Sequence, residues 1–503
     1  MSKPKEKLAA SLELLRQLQH RGTIVIRSCD LSRTHRERLL KNGFLVAVLR
    51  GWYLSSSPEN RPGDSSHWYI AFWDFCAAYF QERFGENWSL SPEQSISLHL
   101  GNRTVPKQLV VRSFKGRNKE TPLPFNISIF ESRTSPAKND EAAIIDSIRV
   151  FSLPAALCNV KPFFFQTYPD EARAALALIK ESSELLAPLL KGDHSVIAGR
   201  LAGGLRSIGK TVLADEISRT MQSAGYVVRE TNPFNSPCPY SPTDISPSAH
   251  RLHYMWHTMR SHVLEEFPPP PSGLNKNLYL KQLEENYSSD AYHSLSIEGF
   301  HVNKHLIERV RDGHWNPELN REDAALRDAL AARGYWQAFQ EVENSIDHIL
   351  KGANAVSIVE RDHKVWFQKL FAPNVQAGLL SPSDLIGYRR GQVYIRNSRH
   401  LPPKYDSVPE LMKEFFLLLH NESNPAVRAV LGHFMFVYIH PYMDGNGRVG
   451  RFLMNAMLAS GGYPWTIIHV DQRREYIEAL EEAGIDSNAR PLARFIAQQG
   501  FFS

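Results

Sequence analysis

Cysteine is scarce and scattered in this chain. Cys29, Cys76, Cys158 and Cys238 form no CxxC pair and fall at no metal-ligand spacing, which argues against a disulfide scaffold or a zinc site and for a reduced, cytoplasmic setting. Long apolar runs are missing too. None approaches the roughly 18 residues that a membrane span needs, and the opening MSKPKEKLAASLELL lacks the uninterrupted apolar centre of a secretory signal. No membrane partner is expected. There is no internal repeat, and the net charge is only +5 over 503 residues. That small excess is local: residues 1–54 hold eleven Lys and Arg against four Asp and Glu, so the remainder is slightly acidic. Any preference for a polyanion belongs to the N-terminus. With 43% hydrophobic and 22% charged residues the composition is that of ordinary globular domains, and the length suits about three of them.

What is present begins with an amphipathic pattern, Leu8, Leu12, Leu15 and Leu18, that predicts a helix over 6–20. Thr23-Ile-Val-Ile26 reads as a short strand. In LSRTHRERLLKNGFL, Ser32 is a helix cap and Gly43 a stop after about Asn42, with Arg33, Arg36 and Arg38 on the solvent side. Phe44–Leu49 and Trp52–Leu54 make a hairpin. This order predicts a small winged helix-turn-helix over 1–56 that binds DNA through Arg33, Arg36 and Arg38. The segment resembles the N-terminal domain of AbiEi-type antitoxins over about 45 residues. The plain alternative is a basic solvated helix in a protein-contact module. After a Ser/Pro/Gly-rich connector at Ser55–Ser66, residues 67–267 read as a mixed α/β and then helical middle region. It holds a helix His67–Phe84, strand-like runs Gln108–Phe114 and Phe125–Phe130, and helical stretches such as Asp170–Lys191 and Lys210–Ala224. LSPEQSISLHLGN is faintly similar to the second part of the same antitoxin family. Pro268–Gly273 is the clearest break, and residues 274–503 form the last domain. The expected fold class is mainly α: an all-helical last domain with one hairpin, preceded by an α/β middle region and the small winged helix-turn-helix domain.

Two motifs in the middle are read as accidents. Gly204-Leu-Arg-Ser-Ile-Gly209-Lys210-Thr211 matches the phosphate-loop string GxxxxGK[ST], but no buried strand precedes it and no later apolar run ends in a magnesium-binding Asp. His253 and His257 stand at i, i+4, yet Tyr254 occupies the place of a zinc protease's Glu, so core or surface histidines are expected.

The richest stretch is His440-Pro-Tyr-Met-Asp-Gly-Asn-Gly-Arg-Val-Gly-Arg451, between the apolar runs Phe434–Ile439 and Phe452–Leu458. It reads as helix, glycine loop, helix start. Gly445 and Gly447 let the backbone N–H groups form one concave nest, and the following helix adds its free N–H groups and positive dipole end, an arrangement that favours phosphate. Around the nest stand His440 as a base, Asp444 as a metal ligand, Asn446, and Arg448 and Arg451 as anion clamps. The pattern HxFx[DE]GNGRxxR of the Fic family of nucleotidyltransferases is matched at every position but one, where Tyr442 replaces Phe, and the resemblance extends over roughly the last 230 residues.

The resemblance implies an all-helical core with a β-hairpin flap and transfer of AMP from ATP, with Mg²⁺, to a Ser, Thr or Tyr hydroxyl of a target protein or of the chain itself. His440 would take the hydroxyl proton, Asp444 would hold Mg²⁺, Asn446 and the loop N–H groups would stabilise charge on the α-phosphate, and Arg448 and Arg451 would hold the outer phosphates. The flap, expected at Gly387–Arg396 and closed by His400–Pro403, would dock the target as an added strand along Gln392, Val393 and Tyr394; Val393 is also a nucleotide contact. Tyr476 corresponds to the adenosine-contacting Tyr, but where relatives often carry Asn this chain has Gly484, with Asn488 displaced. Ser294-Leu-Ser-Ile-Glu298-Gly299, on a helix near 290–300, matches the inhibitory signature [ST]xxxE[GN], so Glu298 would pair with Arg451. The competing expectation is a toxin–antitoxin type transcription regulator whose Fic domain only self-modifies, senses nucleotide or removes AMP. An oligomer is compatible with either.

Overall fold

The computed structural model describes residues 4–58, 65–192, 194–240, 242–270, 275–313 and 327–501. The chain is mainly helical and divides into two compact units: residues 1–251 with 394–401, and residues 252–393 with 402–503. The centre of the Ser55–Ser66 connector and the end of the Pro268–Gly273 break lie outside the described residues.

The first unit opens with the helix Pro4–His20, the strand Val25–Arg27, the helix Arg33–Lys41 and a hairpin Leu45–Leu49/Trp52–Ser55. The last strand lies at the centre of a three-stranded antiparallel sheet. Leu15, Ile26, Leu31, Leu39 and Leu45 form this module's own small core. Ser32 caps the second helix, its hydroxyl accepting from His35 N–H.

Next, the helix Ser66–Phe84 buries Trp68, Phe72, Phe75 and Phe80 in a core shared with a four-stranded sheet. That sheet pairs Gln108–Arg112 in parallel with Ile127–Ser132, and Lys119–Leu123 antiparallel to the latter. The helical stretch Asp170–Lys191 comprises two helices, Pro169–Ala177 and Ser182–Lys191. The second starts at a capping box in which the Glu181 and Glu184 side chains satisfy backbone N–H groups.

The phosphate-loop string lies at the junction of two helices, Ser195–Ser207 and Thr211–Ser223. Lys210 donates to the carbonyls of Ala177 and Ile179 at 2.5 Å each, so it closes a helix end. A Cβ on Gly203 would fall 2.2 Å from the Thr231 carbonyl oxygen; close backbone packing explains that glycine.

Residues 394–401 belong to the first unit by their contacts. Asn397 accepts from Ser65 N–H and Oγ at 3.2 and 3.3 Å, and Val105 N–H donates to the Arg399 carbonyl at 2.9 Å. The Leu401 side chain lies in that unit's aromatic core.

In the second unit the helices Pro425–Ile439 and Asn446–Ser460 form the central pair. Both are buried nearly all round, as an apolar circumference requires. Gly432 and Gly450 bring them close: a Cβ on Gly450 would lie 3.0 Å from His433 Nδ1 and 3.1 Å from a Val437 methyl. Around the pair pack Lys276–Ile297, Arg327–Leu350, Ala355–Gln376, Val408–Asn421, Arg473–Asp486 and Arg490–Phe501. His253 Nε2 lies 2.9 Å from a Glu414 carboxylate oxygen. Among the described residues no group of three or more His, Cys, Asp or Glu is placed to hold a metal ion.

The expected β-hairpin over 387–396 is corrected: that segment carries no strand. Arg389 donates through Nη1 to the Gly391 carbonyl at 3.0 Å and through Nη2 to that of Pro403. The Gln392 amide donates to the Pro402 and Val393 carbonyls at 3.0 and 3.3 Å. Side chains thus take the carbonyls that a ladder would use, and Pro402 and Pro403 have no N–H to offer in return. The flap is a side-chain-laced loop.

Candidate active site

The loop between the two central helices is shaped by two left-handed residues. His440 ends the first helix at φ 55°, ψ 61°, and Gly445 starts the second at φ 79°. For His this conformation costs about 1–2 kcal/mol, so the surroundings must hold it. They do: His440 N–H donates to the Phe436 carbonyl at 3.0 Å and Arg389 Nε donates to the His440 carbonyl at 2.8 Å. The ring Nδ1 lies 3.1 Å from the Val437 carbonyl, which fixes the proton there and leaves Nε2 with its lone pair. Burial first, then the Arg389 charge, lowers the imidazole to about 4, against a carbonyl bond, Glu298 and Asp444 that act upward. The ring is therefore neutral at physiological pH, the form a base needs.

Asn446 is corrected. Its side chain is buried and pinned at both ends to Tyr442, accepting from Tyr442 N–H and donating to the Tyr442 carbonyl at 2.8 Å each. It shapes the loop and does not present its amide to a phosphate. Tyr442 fills the aromatic position as expected: its ring stacks on Phe367 at 3.8 Å and 5°.

Arg448 is buried with its guanidinium between two rings, 5.3 Å from Phe300 and 5.1 Å from Phe371. Among the described residues its Nε has no hydrogen-bond partner, and Nη2 has only an ion-pair contact with Asp444 Oδ1 at 3.5 Å. A buried guanidinium with idle donors is costly unless an anion meets it. Arg451 is also buried. Its Nε donates to Ser294 Oγ at 3.0 Å, and Nη2 donates to the Ser294 carbonyl at 3.1 Å and to Glu298 Oε1 at 2.8 Å.

Glu298 stands at the end of the helix Lys276–Ile297, which stops at Gly299 with φ 86°. Burial would raise its carboxyl; the Arg451 and Arg448 charges outweigh that and hold it below the ordinary value. A Cβ built on Gly447 would sit 2.3 Å from Glu298 Oε1. The carboxylate therefore rests directly on the nest, in contact with the first turn of the loop helix. Asp444 is 65% exposed, and Oδ1 accepts from Gly445 N–H at 2.6 Å, which leaves Oδ2 without a described partner.

Tyr476 is corrected as well. Only 2% exposed, it stacks between His433 and Phe495, and its hydroxyl lies 2.7 Å from His433 Nε2. It faces the core behind Arg451 and has no open face for an adenosine. Val393 is 5% exposed, its carbonyl engaged by Gln392; Tyr394 is 39% exposed.

Of the candidate DNA contacts, Arg33 pairs with Glu37 at 2.7 Å on the surface. Arg36 donates to the Ser28 and Leu31 carbonyls and lies over Tyr53. Arg38 donates to the Lys7 carbonyl and Ser11 Oγ. The latter two hold the module together, because a short helix this basic finds more carbonyls than acids within reach.

Sequence reasoning missed Arg389, Phe300, Phe371 and His433. Phe300 follows the inhibitory signature directly; nothing local marks the others.

The site thus lies in a helical domain with a glycine loop at the start of a central helix. Residues 359–458 match the Fic/DOC family. Protein adenylyltransferase Fic of Aedes aegypti is 30% identical over 226 residues, 44% of this chain and 42% of that protein. The protein of that name from Drosophila erecta is 40% identical over 218 residues, 42% of this chain and 40% of that protein. The chain spans less than half the length of these relatives. A solved structure of Fic-1 (residues 134–508) from C. elegans is 20% identical, covering 66% of this chain and 88% of that one, with a TM-score of 0.36.

Proposed function

We propose that residues 274–503 form a protein adenylyltransferase held inactive by Glu298. A target hydroxyl attacks the α-phosphorus of ATP; the new P–O bond forms as the bond to pyrophosphate breaks. The hydroxyl proton passes to His440 Nε2, whose partner nitrogen is already committed to Val437. Backbone N–H groups from Gly445 onward receive the charge of the phosphates. Arg448, with idle buried donors, and Arg451, once free of Glu298, clamp the outer phosphates. Mg²⁺, if bound, would sit on the open oxygen of Asp444 and offset phosphate charge.

The observation that carries this reading is the carboxylate of Glu298 resting on Gly447 while paired to Arg451. An anion already occupies the nest, so ATP and Glu298 compete for one place. Incubation of the purified chain with ATP, followed by intact-mass measurement, tests it. Glu298→Gly gains AMP where the wild type gains little, and adding His440→Ala lowers that rate about 10²- to 10⁴-fold. Equal labelling of wild type and Glu298→Gly would sink the inhibitory role.

The same Glu298 could orient water to remove AMP from a modified target; release of AMP by wild type alone would favour that direction. A second function rests on the basic N-terminal module, with its helix, strand, helix and hairpin order: DNA binding through exposed Arg33, with transfer under its control.

A further inference from the structure

Arg389 is 4% exposed and makes no ion pair among the described residues. Its guanidinium is spent on three backbone carbonyls, of His440 at 2.8 Å, of Gly391 at 3.0 Å and of Pro403. Its own N–H donates to the Pro441 carbonyl at 2.8 Å. Those acceptors come from three separate places: the base itself, and the outgoing and returning limbs of the flap loop. A buried cation is expensive to desolvate, and burial indeed lowers this guanidinium to about 10. A neutral amide offers only two N–H donors, so three carbonyls from separate segments call for a guanidinium here.

We infer that Arg389 is a positioning residue that locks the left-handed turn at His440 to both limbs of the flap loop, so that the base and this loop are set by one group. The inference rests on the adenylyltransferase reading above. The carbonyl of His440 points where the guanidinium holds it, and the ring direction follows from the backbone of the same residue. The planar fork reaches three acceptors at fixed angles, which the single ammonium of Lys cannot do. The cation also opposes protonation of His440, together with burial and against Glu298 and Asp444, the other charged groups acting on the ring.

The test uses the full chain carrying Glu298→Gly, with Arg389→Met or Arg389→Lys added. Self-modification at saturating ATP is followed by intact mass, ATP affinity by calorimetry, and backbone opening by hydrogen exchange. Both variants transfer AMP about 10- to 100-fold more slowly, with ATP affinity within about twofold, and Lys rescues little. Exchange of peptides spanning 389–393 and 437–443 speeds up in both together, while the rest of the domain stays protected. A variant that transfers at the Glu298→Gly rate, or loses rate and ATP affinity in parallel, overturns the inference. So does unchanged exchange at 437–443, which is read even if Glu298→Gly itself transfers nothing; that last outcome would instead defeat the underlying activity.

Discussion

Gly447 concentrates the competition at this site into one missing methyl. Its place in the first turn of the loop helix leaves room for an anion, and Glu298 now uses that room, 2.3 Å from where a Cβ would stand. Gly447→Ala would push the carboxylate away, which alone would favour activation because a side-chain end can move. The same methyl would also stand against a phosphate, which cannot avoid the backbone N–H groups it needs. The second effect dominates: in the Glu298→Gly background, Gly447→Ala weakens ATP binding about tenfold, or 1.4 kcal/mol. Calorimetry checks this, and unaltered affinity would remove Gly447 from the phosphate site. Gly447 was legible in the sequence as part of a glycine loop. That Glu298, 149 residues earlier, lies on it was only an expectation from a signature.

At the scale of elements, the basic helix Arg33–Lys41 shows how charge and role come apart. Three arginines were expected to face DNA, and the fold turns two of them inward onto carbonyls. Their substitutions therefore separate. On the proposed DNA-binding role, Arg33→Ala in the full chain reduces DNA binding and its salt dependence while leaving stability unchanged, since its pair with Glu37 is exposed. Arg36→Ala instead destabilises the module by about 1–2 kcal/mol, through lost bonds to Ser28 and Leu31 and the contact with Tyr53. Gel-shift titrations and urea unfolding of the two variants decide it; equal loss of stability in both would contradict this division. The flap tells the same story from the other side. Its residues alternate like a hairpin, and side-chain bonds from Arg389 and Gln392 replace the ladder.

Across the second unit, stability depends on histidines kept neutral by burial. His363 and His440 are lowered to about 4 and His433 to about 3, each chiefly by desolvation. The unfolded chain takes up protons at these positions below about 6.5, whereas the folded one resists until near 4. Stability from them is complete at neutral pH and lost as pH falls from about 6.5 toward 4. Asp290, raised to about 6 by burial, acts oppositely, gaining as it protonates. His257, His262 and His293, also lowered by burial, add to the first direction and the raised Glu343 to the second, so the histidines outnumber the raised carboxyls and the net is acid destabilisation. Urea midpoints measured from pH 7.5 to 5 fall; a flat profile would count against this set of buried neutral rings.

The helical periodicity, the helix–loop–helix at 440–451 and the Ser294–Glu298 signature were legible in the residues alone, because each rests on local spacing. Which donors are spent and which are idle is set by the packed fold. Asn446 is consumed by Tyr442 and Tyr476 by His433, while Arg448 keeps two donors unmatched. Hydrogen-bond satisfaction depends on groups distant along the chain, so letters and spacing do not contain it. The glycine loop at His440–Arg451 and a pairing of Glu298 with Arg451 were legible as expectations from the residues; that the carboxylate lies against Gly447, and that Arg389 holds the first turn of the loop, follows from packing.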